Sequence, residues 1–137
     1  MSRESMDRML EEALNVASYF LQKSGEFFPF AVALEAGGGL RNVEGFPGGE
    51  QPPSVEVLAI IEAGIAQGAA TGEFLGAAFV SDVRIVIEGK KTDAVRVQIE
   101  HCGMPAVVAF LPYSLGNGQV AEGSLLFEKG DARCFPA

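Results

Sequence analysis

The clearest regularity in the chain is a helical one near its start. Met6, Met9, Leu10, Ala13, Ala17, Phe20 and Leu21 recur at three- and four-residue steps, and Asp7, Arg8, Glu11, Glu12 and Gln22 fall on the other side. The spacing predicts an amphipathic helix from about Ser5 to Lys23. It stops at Ser24-Gly25, where Gly25 suits the left-handed conformation after a last turn. Then the period is lost. Every position from Phe27 to Leu34 is apolar, and a strand of that kind needs cover on both faces, which predicts a central place in a sheet. Pro29 has no N–H for the ladder and belongs near the strand's start. Gly37-Gly38-Gly39 then turns the chain into a second strand, about Leu40 to Phe46, which makes a hairpin.

A loop from Pro47 to Pro53 leads to a second helix, with Ser54 as its N-cap and Glu56 in the first turn. Val57, Leu58, Ile61, Ile65 and Ala69 form its apolar stripe, which ends near Gly72. Gly64 and Gly68 lie four apart on one face and predict a neighbour packed close against both. The second half reads as four strands. From Phe79 to Glu88, Ser81, Val83, Ile85 and Ile87 alternate with Asp82, Arg84 and Glu88. After a turn from Gly89 to Asp93, Val95, Val97 and Ile99 alternate with Arg96, Gln98 and Glu100. Pairing Glu88 with Ala94 sets Ile87 opposite Val95, Ile85 opposite Val97 and Val83 opposite Ile99, so one register satisfies the apolar face throughout. Gly103-Met104-Pro105 turns into Ala106–Leu111, apolar on both faces. Gly116-Asn117-Gly118 marks a tight turn, a last strand spans about Glu122 to Glu128, and a tail begins at Gly130-Asp131.

This succession, α-β-β-α-β-β-β-β, predicts an α/β (α+β) fold: a mainly antiparallel sheet of five to six strands flanked by two helices. At 137 residues a single domain over 1–137 is expected, because halves would be too small to bury good cores. The order of elements resembles that of the roadblock, longin and profilin-like group of small α/β domains. The resemblance implies that the first strand neighbours the fifth, the two strands that are apolar on both faces. It lies in the order of elements and carries over no residue roles.

Composition then narrows the partners. A net charge of −8 repels phosphate backbones and anionic lipid, and the basic residues are scattered, with Lys90-Lys91 the densest pair, so neither nucleic acid nor membrane is expected. The polar start, Met1 to Ser5, has no secretory pattern behind it, and the longest apolar candidate, Val55 to Ala70, is interrupted by Glu56, Glu62 and Gln67. A cytoplasmic location is expected. Cys102 and Cys134 form no metal or redox spacing and are expected to be two buried thiols in a reducing compartment.

The candidate chemistry gathers around the sole histidine, in Glu100-His101-Cys102. Alternation puts His101 on the side of Val95, Val97 and Ile99, with Ser81 across the pair, and makes Glu100 face Asp82 with Arg84 one step along. Two readings stand. Facing carboxylates can raise one another's pKa, which would make Asp82, Arg84, Glu100 and His101 the polar site of a small enzyme or ligand-binding domain. Alternatively, Asp82, Arg84, Arg96, Gln98 and Glu100 are the solvated face of a ribbon, with His101 satisfied at a strand end. A His101–Cys102 nucleophile pair is disfavoured, because adjacent strand residues point to opposite faces.

The glycines at 37–39 lack the dinucleotide spacing, no phosphate loop, nucleophile elbow or zinc spacing occurs, and no cofactor or metal is expected. Tyr113 suits an amphipathic lid on the core. Ten phenylalanines and two strands apolar on both faces, with two helices to cover them, point instead to a non-catalytic interaction or regulatory module. Its expected partner is itself, as a homodimer joined through an apolar sheet or helix surface.

Overall fold

The structure, a computed structural model, describes residues 2–44, 54–116 and 119–135. The expected loop at 47–53, the strand end at Phe46, the side chain of the Ser54 cap and the Asn117-Gly118 turn lie outside the described residues. The first helix, α1, runs Ser2–Ser24 and buries Met6, Met9, Ala13, Ala17 and Leu21. It ends as its sequence requires: Gly25, at φ 78°, donates its N–H to the Leu21 carbonyl at 2.8 Å.

Strand β1 (Phe30–Glu35) starts directly after Pro29 and is interior, between β2 (Leu40–Glu44) and β3 (Phe74–Ile87). Its side chains divide by parity. Phe30, Val32 and Leu34 enter a core beneath α1, whereas Ala31 and Ala33 meet Val57, Ile61 and Ile65 of the second helix, α2 (Ser54–Thr71), on the other face. The sheet continues through β4 (Lys90–His101) and β5 (Met104–Gly116), and β6 (Gln119–Glu122) and β7 (Leu126–Lys129) both pair with β5. Two helices and an antiparallel sheet thus stand as expected, with seven strands among the described residues. The single last strand expected from Glu122 to Glu128 is two strands, parted at 123–125.

Four further expectations are corrected. The neighbour of β1 is β3, not the fifth strand. Strand β3 begins at Phe74 rather than Phe79, and its first half is buried on both faces, which suits it to lie beside β1. Gly76 permits that early start: a Cβ there would lie 2.6 Å from the Glu100 carbonyl oxygen. The two helix glycines also differ. A Cβ on Gly68 would sit 2.3 Å from the Phe74 ring, so close packing holds there, but Gly64 faces open space.

The fourth correction is the register of the β3–β4 ribbon. Ile87 lies opposite Lys90, not Val95, a slip of five positions, and Val83 lies opposite Ala94. The cause is a two-residue turn, Glu88-Gly89, with φ of 50° and 79°, in place of a turn through Asp93. An odd slip exchanges faces. Val95, Val97 and Ile99 therefore lie on the α1 side with Ala78 and Val80, while Val83, Ile85 and Ile87 share the other face with Phe79.

Candidate functional site

With that register, the four residues expected to form a polar site are not brought together. Asp82 lies opposite Val95 and Arg84 opposite Asp93, whereas Glu100 lies opposite Ala77 and His101 opposite Gly76. Asp82 and Glu100 stand on opposite faces of the sheet. Each has its own internal partners.

Asp82 accepts a hydrogen bond from the Tyr113 hydroxyl at 2.7 Å. Burial raises its pKa above the ordinary carboxylate range, against the opposing effect of that hydrogen bond, and the charges of Asp93 and Glu26 raise it further. Burial first, and then Asp82, pushes the Tyr113 phenol well upward, so it remains a donor. Tyr113 is buried in the α1-side core with its hydroxyl on the ribbon. Arg84 pairs with Asp93 at 3.3 Å, both largely exposed, an arrangement of little energetic weight. His101 is buried at the end of β4, its Nδ1 2.8 Å from the Cys102 carbonyl oxygen.

Glu100 is neither facing Asp82 nor solvated: it is fully buried, and Gln98 beside it is 5% exposed. What covers them is the C-terminal tail. Oε1 of Glu100 accepts the backbone N–H groups of Arg133 at 3.0 Å, Cys134 at 2.8 Å and Phe135 at 3.1 Å. Oε2 accepts the Arg133 N–H at 3.0 Å and the Gln98 side-chain amide at 2.7 Å. The same Gln98 nitrogen donates to the Asp131 carbonyl at 2.7 Å, and Arg96 donates to Gln98 Oε1 at 3.0 Å. Successive backbone N–H groups around one anion form a concave nest, and here the anion is the protein's own side chain. The tail ends its described course with Phe135, which is 3% exposed among Ile61, Ile65 and Phe74.

Arg133, Cys134 and Phe135 are thus partners that strand alternation could not indicate. The one sequence signal was Phe135, the single bulky apolar residue in the tail after Lys129. Cys134 donates its thiol to the Glu62 carbonyl at 3.5 Å, and burial, followed by the charges of Glu100 and Glu62, pushes its pKa up to about 11. It is held as a neutral thiol rather than a nucleophile. Cys102 is exposed, in the turn after β4, which corrects the expectation that both thiols are buried; both are free.

Among the described residues β7 forms an exposed apolar edge, while Val86 of β3 and Val55 and Ile60 of α2 stand exposed elsewhere. All four residues of β7 are exposed, with Leu126 at 43% and Phe127 at 58%, and Leu125 precedes them. Phe127 also lines a cleft of about 360 Å³ with Met6, Leu10, Met104 and Val107, between α1 and β5. Among the described residues, no group of three or more His, Cys, Asp or Glu side chains could hold a metal ion, and no helix is long and apolar enough to cross a membrane. No protein-family model matches this chain, and no curated protein or solved structure matches it either, so the geometry of its own residues is what an assignment rests on.

Proposed function

We propose that the chain is a non-catalytic interaction module that associates with a second copy of itself along the β7 edge of its sheet. The observation that carries this is β7 itself. Among the described residues it pairs with β5 alone, so one row of its backbone groups has no strand partner, and Leu126 and Phe127 place apolar side chains on both faces of that edge. An exposed apolar edge is a ready template for another strand. An antiparallel pairing of two β7 edges is self-complementary, which suits a two-fold dimer. Withdrawing Leu126 and Phe127 from water contributes about 1.5–3 kcal/mol for each side chain fully buried. The polar residues support a binding role over a catalytic one, since Asp82 and Glu100 are turned apart and committed to Tyr113 and to the tail.

Sedimentation velocity across a micromolar concentration series tests the proposal. A monomer–dimer equilibrium is expected for the native chain, and Phe127→Lys with Leu126→Lys should leave a folded monomer, as judged by an unchanged far-ultraviolet circular dichroism spectrum. A native chain that stays monomeric throughout, or a dimer that survives both substitutions, refutes it.

A further inference from the structure

A second cleft, remote from β7, has a different chemistry. Between the end of α1 and the start of β1, Phe20, Phe27, Phe28 and Phe30 line an open cavity of about 360 Å³ together with Glu26 and Glu44. We infer that this cleft is a binding site for a small organic cation, an alkylated ammonium of the quaternary type.

The sequence builds the cleft directly. Gly25 ends α1, and Pro29 delays β1 until Phe30, so Glu26, Phe27 and Phe28 cross the gap outside the ladder. Phe30, 3% exposed, is the anchored member. Its ring meets those of Phe27 at 5.7 Å and Phe20 at 6.4 Å, both at 67°, so the aromatic wall is a corner rather than a flat stack. Glu44 is the ladder partner of Phe30, and side chains of paired residues share a face, so its carboxylate stands on the same side as that ring.

Charge selects the ligand. Both glutamates are exposed, and among the described residues no Lys, Arg or His lines the cleft. The negative field extends beyond it, since Glu26 also acts on Asp82. An anion is repelled here, and a neutral apolar molecule makes no use of the carboxylates. A cation wrapped in methyl groups satisfies both halves of the site, its charge attracted by ring faces and carboxylates and its methyls by hydrocarbon. It also brings no N–H groups needing acceptors, which aromatic rings supply poorly. The volume lies within the range of small-molecule sites.

The test is a proton NMR titration of the full chain with choline, set against its neutral isostere in which carbon replaces nitrogen. Choline is expected to shift the phenylalanine ring resonances saturably, and to bind about tenfold more tightly than the isostere. Phe27→Leu should weaken choline about three- to tenfold, and Glu44→Gln, at an exposed position that leaves the fold intact, about two- to threefold. Added salt should weaken it further. The inference is overturned if choline gives no saturable shift, if the isostere binds as well, or if neither substitution changes the affinity.

Discussion

Replacing Glu100 with alanine removes the acceptor for three consecutive backbone N–H groups and for the Gln98 amide. Hydrogen bonds to a charged group contribute about 1.5–3 kcal/mol each, so a rigid tail held over the vacancy would lose a great deal. The tail need not stay, however. If 131–135 lifts into water, the N–H groups are solvated and the chain regains conformational freedom, and what is lost is the packing of Phe135, about 2–3 kcal/mol, with the remaining polar contacts. Undocking therefore caps the loss. Glu100→Ala should destabilise by about 2–4 kcal/mol, the scale of a broken buried network, where a solvated strand residue would change stability by less than about 0.5 kcal/mol.

The same reasoning fixes how Glu100 and Phe135 combine. Phe135→Ala empties the other anchor of the tail and on its own should cost about 3 kcal/mol. Once either substitution has released the tail, the second has little left to remove, so the double variant should fall short of the summed losses by at least about 1 kcal/mol. Urea unfolding followed by far-ultraviolet circular dichroism is the suitable assay, because the chain has no tryptophan. Amide exchange adds a local readout: in Glu100→Ala the N–H groups of Arg133, Cys134 and Phe135 should exchange freely while those of β1 and β3 stay protected. Losses that add to within about 0.5 kcal/mol, or a Glu100→Ala variant as stable as the native chain, would refute the latch.

Three other outcomes follow from named contacts. A thiol reagent should label exposed Cys102 quickly and Cys134 slowly, since its pKa is pushed up to about 11 and its thiol lies under the tail; Glu100→Ala should accelerate labelling of Cys134 and leave that of Cys102 unchanged, as read by mass spectrometry. Gly64→Ala, into open space on a helix, should stabilise by about 0.5–1 kcal/mol. Gly68→Ala should destabilise by about 1–3 kcal/mol, because Phe74, which also carries the Arg41 guanidinium 5.2 Å from its ring centre, must move; thermal unfolding distinguishes the two. Burial raises Asp82 in the folded chain, so its contribution to stability is complete below the ordinary carboxylate value and is lost as pH rises through the raised one. Asp82→Asn, which keeps an acceptor for Tyr113, should therefore gain less than about 1 kcal/mol on the native chain at neutral pH and nothing in strong acid, measured as a difference in urea midpoints.

The helices and the interior place of β1 were legible because each depends on residues close in sequence. The apolar steps from Met6 to Leu21 define one side of α1, and an unbroken run from Phe27 to Leu34 demands two covers whatever lies beyond. The ribbon register was not legible, because alternation gives each strand's phase but not its offset against the next. Sliding the strands until Ile87 met Val95 satisfied one apolar face. The turn decided otherwise, with Glu88, a non-glycine residue at φ 50°, standing where Asn or Asp before glycine would have announced a two-residue turn. The candidate site failed with the register, since Glu100 was set against Asp82 only by that slip. A carboxylate aligned with Arg96 and Gln98 looks solvated from within its own strand, and the groups that bury it lie 33 to 35 residues further along.

The tail also changes how the apolar surplus is understood. The two helices are not the sole cover of the sheet: α2 packs on β1 and β3, and the same face of β4 is closed by 131–135 instead. A stretch of irregular backbone can lie on an interior strand only if its N–H groups find acceptors, because they face protein rather than water. That strand's own N–H and C=O groups point along the sheet toward β3 and β5 rather than out of its face, so the acceptor must come from a side chain. A buried carboxylate at position 100 serves three donors at once, which no neutral side chain of similar size can do. The tail thus explains why a charged residue occupies the middle of a sheet, and it removes the face of β4 from the surfaces still needing a partner. Among the described residues the exposed apolar side chains then include Leu126 and Phe127 of β7, with Val55 and Ile60 of α2 and Val86 of β3, and those of β7 sit on a strand paired on one side along its whole length.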